Sequence, residues 1–221
     1  MKIKGILFDF IGTTVIENGS VIEDCFEQAF RSNNLRPDHD ELKINRGRDK
    51  LEMIKLMLRD SPDKDAIASR VYESFKVNIV NSRDRFRLND GAIDLFRVLK
   101  IRNIKIGVGT GMTNELFETI FSNLDWGGAS FDYVGTASDV PKTRPHPDMI
   151  FDMMRKLRIG SRTSFIKIGD TVADIQEGKN AGVVTAAILS GTQPRQMLTK
   201  ANPDFMLTHL SEIIRIVEGT N

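Results

Sequence analysis

The sequence predicts an α/β fold: a Rossmann-like parallel sheet core with an inserted helical cap. Three observations predict it. Short runs rich in β-branched and aromatic residues alternate with stretches of helical periodicity over most of the 221 residues. Most of the runs end in glycine or small polar residues, as strands entering a turn do. Between Val15 and Asn89 the alternation stops, and only helical patterns remain.

The strands come in order. Ile3–Phe10 ends at Gly12, and Ile104–Val108 ends in a Gly-Thr-Gly turn. Phe131–Val134 follows, then Ser164–Ile168, which ends in Gly-Asp. Val183–Leu189 ends in Ser-Gly, and Asp204–Leu207 is last. Between them, Ala92–Ile101, Asn114–Leu124, Asp148–Leu157 and Val172–Ala181 place apolar residues at helical spacing. Strands alternating with helices of this length call for a parallel sheet covered on both faces. Ligands of such folds sit beyond the carboxyl ends of the strands. In the interruption, Val21–Ser32, Asp49–Leu58 and Asp65–Val80 read as helices. The expected division is therefore 1–14 with 90–221 as the α/β core, and 15–89 as a helical cap over the strand ends.

Composition excludes several classes. Thirty-one Lys plus Arg face 30 Asp plus Glu, so no basic field exists to hold nucleic acid. Cys25 is the single cysteine, which excludes an internal disulfide framework and a multi-cysteine zinc site. A reducing cytoplasm is expected. The first apolar run is broken by Asp9, too soon for a signal peptide. Nothing approaches the roughly 18 apolar residues of a membrane span.

The strand ends carry the chemistry. The first delivers Asp9, Phe10, Ile11, Gly12, Thr13 and Thr14; the second delivers Thr110 between Gly109 and Gly111. Lys142-Thr143-Arg144-Pro145 precedes a helix, and the fourth strand delivers Gly169, Asp170, Thr171 and Asp174. One mouth then holds carboxylates, a hydroxyl and a cation, a set suited to phosphoryl transfer. Magnesium takes hard oxygen ligands, which carboxylates from separate strands supply. Asp9 is the candidate covalent nucleophile. Thr110 and the turn amides would hold phosphoryl oxygens, and Arg144 would neutralise charge in the transition state. Each residue alone has a plainer role: Asp9 as a turn former, Thr110 as a helix cap, Arg144 as a surface cation. Asp170 and Asp174 alone would suit a helix N-terminus. Their order at successive strand ends favours the catalytic role. Gly107-Val108-Gly109-Thr110-Gly111 is a poor dinucleotide loop, since the third glycine of that fingerprint falls on Met112.

That order resembles the haloacid dehalogenase superfamily, and within it the phosphonatase-like branch. Gly12-Thr13-Thr14-Val15 carries the resemblance, with Asp139-Val140-Pro141 before Arg144-Pro145. So do Gly169-Asp170-Thr171-Val172-Ala173-Asp174 and the following Glu177-Gly178-Lys179-Asn180-Ala181-Gly182. The resemblance implies Asp9 as nucleophile and magnesium ligand, the Ile11 carbonyl as second ligand, and Asp170 as third. Asp174 would support the metal shell, Thr110 and Gly111 would bind the phosphoryl group, and Arg144 would hold it against Asp9. It also implies a homodimer.

Ile11 stands where phosphatases of the superfamily carry a second aspartate, which protonates the leaving alkoxide and later activates water. Isoleucine does neither. The phosphonatase branch also has an apolar residue there, and its leaving carbon is stabilised by an imine on a cap lysine. Arg46-Gly47-Arg48-Asp49-Lys50 resembles that cap motif, with Lys50 matching the imine lysine. A helix N-terminus and the flanking Arg46 and Arg48 would lower the Lys50 pKa, while Asp49 would raise it. Two positions depart from the branch: Met53 replaces a histidine, and Arg46 replaces a methionine. An added cation at Arg46 suits a more anionic substrate. A solvated surface lysine is the plainer role for Lys50.

The expected activity is magnesium-dependent hydrolysis of a small phosphonate or phosphate ester through an aspartyl-phosphate. Two alternatives remain at this point: a phosphomonoesterase of phosphoglycolate-phosphatase type, and a non-catalytic binder of a phosphorylated metabolite.

Overall fold

The computed structural model describes residues 2–58 and 62–219. β1 (Gly5–Asp9) leads into β2 (Val15–Glu17). The helices α1 (Val21–Ser32), α2 (His39–Ile44), α3 (Lys50–Met57) and α4 (Lys64–Asn81) follow, and β3 (Phe86–Leu88) closes the insertion. The chain then alternates: α5 (Ala92–Ile101), β4 (Lys105–Gly109), α6 (Asn114–Phe121), β5 (Tyr133–Gly135), α7 (Asp148–Lys156), β6 (Phe165–Gly169). It ends with α8 (Val172–Ala181), β7 (Val184–Ile188), α9 (Arg195–Ala201), β8 (Phe205–Leu207) and α10 (Ile213–Glu218).

Six strands form one parallel sheet in the order β5-β4-β1-β6-β7-β8. The order reverses at β1, whose neighbours are β4 and β6, so a crevice opens at its carboxyl end. Register decides what emerges there. Asp9 pairs with Gly109, one residue before Thr110, and Phe8 pairs with Ile168, two residues before Asp170. Both sheet faces are covered. Leu7 and Phe165 pack with Met149, Ile150 and Met153 of α7. Ile6, Phe8 and Phe10 pack on the other face with Phe96 of α5 and Phe117 of α6. Gly107 and Gly109 belong to this packing: a Cβ there would meet the sulfurs of Met153 and Met149. They serve sheet–helix contact, not a dinucleotide.

One expectation is corrected. The segment from Val15 to Asn89 does contain strands: β2 and β3 form an antiparallel ribbon, Val15 opposite Leu88 and Glu17 opposite Phe86. Three residues per strand are too few to show an alternation. The ribbon joins the two ends of the helical insertion to the sheet. Inside the insertion, α1 buries Val21, Ile22, Cys25, Phe26, Ala29 and Phe30 along one stripe. Phe26 stacks on Phe75 of α4 with ring centroids 4.4 Å apart. Truncating either ring to alanine would cost about 3–5 kcal/mol and separate these helices first.

Candidate active site

Asp9 leaves β1 nearly buried, at 5% exposure, and Arg144 Nη1 forms an ion pair with its Oδ1. Arg144 is itself 2% exposed. Its Nη1 also lies 2.9 Å from Asp174 Oδ1, its Nη2 donates to the Gly109 carbonyl at 2.7 Å, and its Nε lies 3.2 Å from Glu177 Oε2. This arginine is a wholly internal cation, far from the surface role that composition alone suggests. Thr110 is buried beside it; its amide donates to the Gly135 carbonyl, and its Oγ1 accepts from the Met112 amide at 3.1 Å. The hydroxyl proton remains available for an oxygen in the cavity.

Asp170 and Asp174 are fully buried. Asp170 Oδ2 accepts from the Thr192 amide at 2.7 Å and from Thr192 Oγ1 at 2.5 Å. Thr13 Oγ1 donates to Asp170 Oδ1 at 3.3 Å. Asp174 Oδ2 receives the Thr171 amide and hydroxyl, completing a capping box at the start of α8. Asp174 therefore fills the plain helix-cap role and faces the site with its other oxygen.

Oxygens of Asp9, Asp170 and Asp174 all lie within 4.8 Å of one another. Three buried carboxylates so close disfavour ionisation. Burial, then Asp9 and Asp174, push Asp170 up to about 7. Burial and Asp174 likewise raise Asp9 against the pull of Arg144 and Lys167. Burial works the same way on Asp174, but Arg144 and Lys167 outweigh it and hold that carboxyl below the usual range. A hard divalent cation fits this donor set, because it takes oxygen ligands and removes the like-charge cost.

The insertion supplies the roof. Lys50 is the first residue of α3 and is 7% exposed. Its Nζ donates to the Arg48 carbonyl at 3.0 Å and lies 4.0 Å from Met53 Sδ. Burial lowers its pKa to about 8; Asp49 and Asp9 oppose the shift, while Arg144 and Arg46 reinforce it. Arg48 acts through its carbonyl rather than its charge, because its guanidinium pairs with Glu52 at 3.1 Å. Gly47 has φ +89°, a left-handed conformation, and a side chain there would meet Thr171 Oγ1. Gly111 receives the loop directly: a Cβ would lie 2.6 Å from the Arg48 carbonyl oxygen. Gln193 ties the insertion to the sheet, accepting from the Val172 amide and donating to the Lys43 carbonyl, both at 2.7 Å.

Asp9, Ile11, Arg46, Lys50, Thr110, Gly111 and Arg144 thus line one cavity. Asp170 and Asp174 lie against its floor through Asp9. Four further polar residues were given no role by the sequence argument. Lys167, wholly buried, lies 2.9 Å from Asp174 and 3.2 Å from Glu177. Glu177, also wholly buried, has its carboxyl pushed upward by burial. Glu17 lines the cavity from β2, and Thr192 buttresses Asp170. Glu177 was legible: it lies three residues after Asp174 and so on the same helix face.

Comparison with known proteins agrees with this geometry. A family model of haloacid dehalogenase-like hydrolases matches residues 6–188. The phosphonoacetaldehyde hydrolase of Bacillus cereus is 28% identical over 99% of this chain and 88% of its own. That of Bacillus cytotoxicus is 26% identical over 98% of this chain and 87% of its own. Among solved structures, a phosphonoacetaldehyde hydrolase-like protein from Oleispira antarctica superposes with a TM-score of 0.87 at 20% identity, over 99% of this chain and 92% of that one. A hydrolase from Pseudomonas syringae superposes with a TM-score of 0.84 at 18% identity, over 99% of this chain and 100% of that one. With Asp9, Arg144 and the acidic loop of Asp170 and Asp174 brought together in one crevice, the chain belongs to the haloacid dehalogenase-like hydrolases, in their phosphonatase-like branch.

Proposed function

We propose that the chain is a magnesium-dependent hydrolase that cleaves the carbon–phosphorus bond of a small carbonyl phosphonate, with Asp9 as nucleophile and Lys50 as imine-forming amine. The observation that carries this reading is a buried lysine of pKa about 8 in the cavity of Asp9, where Ile11 supplies no acid. An amine near 8 is partly neutral at pH 7 and can add to a carbonyl.

In the proposed reaction the Lys50 amine adds to the substrate carbonyl, and water leaves to give an iminium. Asp9 attacks phosphorus. The electron pair of the breaking carbon–phosphorus bond moves into the iminium, and an enamine leaves. Protonation at carbon and hydrolysis return the carbonyl product and free Lys50. Water then cleaves the aspartyl-phosphate. Asp9 Oδ1 is held by Arg144, leaving Oδ2 for phosphorus. Arg144 and the Thr110 hydroxyl would stabilise charge on the phosphoryl oxygens. Magnesium, held by Asp9, the Ile11 carbonyl and Asp170 with Asp174 behind them, would supply positive charge against those oxygens.

The test is phosphate release from phosphonoacetaldehyde with magnesium, beside a panel of phosphate monoesters. Borohydride should trap an adduct that mass spectrometry maps to Lys50. Asp9→Asn should lose about 10⁴-fold or more in turnover. Turnover of monoesters alone, with Lys50 unmodified, would establish a phosphomonoesterase instead. We further propose a cytoplasmic setting, in which the buried Cys25 thiol stays reduced, and a homodimer. Among the described residues no helix is long and apolar enough to cross a membrane.

A further inference from the structure

Arg46 is a cation whose one counter-ion among the described residues, Glu17, is held at arm's length. Its Nη2 is buried and has no hydrogen-bond partner among the described residues. Its nearest carboxylate among the described residues is Glu17, whose Oε1 lies 3.6 Å away, beyond hydrogen-bond reach. Glu17 cannot move closer freely, because its Oε2 is anchored by the Ile22 amide at 2.7 Å. Burial raises the Glu17 pKa, while the Ile22 amide and the Arg46 charge pull it back down.

Position gives this unsatisfied guanidinium a use. The inner chamber, lined by Asp9, Thr110 and Lys50, has about 30 Å³ of free volume. An outer chamber of about 300 Å³ lies beside it, lined by Ser20, Ser190, Thr192 and glycines. Arg46 and Glu17 line both. A substrate with its phosphoryl group on Asp9 would direct its organic fragment past Arg46.

We propose that Arg46 is a specificity-determining residue that binds a carboxylate on the organic fragment of the substrate, at the junction of the two chambers. The proposal rests on the phosphoryl-binding reading of Asp9, Thr110 and Arg144. A guanidinium offers the planar paired donors that a carboxylate matches, and a buried charge-assisted pair is among the stronger polar contacts. Lys50 does not compete for this role, since its amine is committed to the carbonyl.

The test uses two non-reacting probes that differ in one group: 3-phosphonopropionate and propylphosphonate. Each is titrated calorimetrically into the full chain with magnesium, as wild type, Arg46→Met and Arg46→Lys. The expected wild-type result is about 10- to 100-fold tighter binding of 3-phosphonopropionate, the range a charge-assisted hydrogen bond supplies. Arg46→Met should bring the two probes close to parity. Arg46→Lys, which keeps the charge but not the fork, should fall between them and serves should Arg46→Met not fold. Equal wild-type affinities would overturn the proposal and leave the phosphoryl site standing, as would a preference that survives in either folded variant undiminished. Failure of both probes to bind would overturn the phosphoryl-binding reading and this proposal with it.

Discussion

Lys167 and Arg144 share one oxygen: Asp174 Oδ1 lies 2.9 Å from Lys167 Nζ and 2.9 Å from Arg144 Nη1. The same two cations also lie 3.2 Å from Glu177 Oε2. Two buried cations thus hold two buried carboxylates directly behind Asp9. Each charge is tolerable only because its partners are present.

Lys167→Met should therefore be costly although Lys167 does not line the cavity of Asp9. It leaves Asp174 and Glu177 with Arg144 alone, and an uncompensated buried charge costs about 3–5 kcal/mol. Urea unfolding should report a loss of that size. A loss below about 1 kcal/mol would mean that one carboxyl of the pair is protonated in the native protein and that Lys167 is not its counter-ion.

How far the site was legible follows from where each residue sits. Asp9, Thr110 and Asp170 end strands, so strand order alone brings them together. Lys167 was hidden by its own strand. In Phe165-Ile166-Lys167-Ile168 a lysine at alternate spacing looks like the solvent side of a half-exposed strand. A parallel sheet covered on both faces has no solvent side, so the lysine had to be buried and paired. That inference was open once the parallel sheet was predicted. Glu17 was not open to it, because nothing in Val15-Ile16-Glu17 tells that the chain pairs with Phe86–Leu88. The ends of α1, α5 and α8 were legible because their apolar stripes and flanking turn residues agree. The helices α2, α9 and α10, six or seven residues each, are too short to carry a periodic signal.

The Lys50 amine sets a pH dependence with a definite sign. With a pKa of about 8, roughly one tenth is neutral at pH 7, against fewer than one in a thousand for an ordinary lysine. The initial rate of borohydride-trapped adduct should rise with pH and level off above about 8. Stability should respond as well. Between the folded value of about 8 and the ordinary 10.5, the unfolded chain binds more protons, so stability rises with pH across that window. Lys50→Met should flatten both curves, and a trapping rate that still climbs toward pH 10.5 would show that Lys50 titrates as a solvated lysine.

Three crowded carboxylates predict a stabilising divalent cation. Saturating magnesium at about 100 times its dissociation constant should add about 2.7 kcal/mol, a rise of several degrees in melting temperature for a chain of this size. Differential scanning calorimetry of chelator-treated protein, with and without magnesium, measures it directly. Asp170→Asn should lose most of that rise, because Asp170 carries no buried cation of its own and Asn brings no charge. An undiminished rise in Asp170→Asn would place the ion elsewhere.

Gly111 sets the position of Lys50 through backbone alone. A Cβ at Gly111 would lie 2.6 Å from the Arg48 carbonyl oxygen and 2.7 Å from that of Gly47, and neither is a flexible side-chain tip that can swing aside. Gly111→Ala must therefore displace the loop. The Arg48 carbonyl is the acceptor that holds Lys50 Nζ at 3.0 Å, so the amine moves with it. A displacement of about 1 Å at a reacting group costs on the order of 10²-fold in rate. Borohydride trapping on Lys50 and turnover should fall together by about that factor, while the sheet and its melting transition change little. Gly160→Ala is the control: a Cβ there meets nothing within 4 Å, so activity and stability should match the wild type. Full trapping in Gly111→Ala would mean that Lys50 reaches its substrate without the seat the loop gives it. The roof of the site would then be held by Gln193 and the other contacts between insertion and sheet.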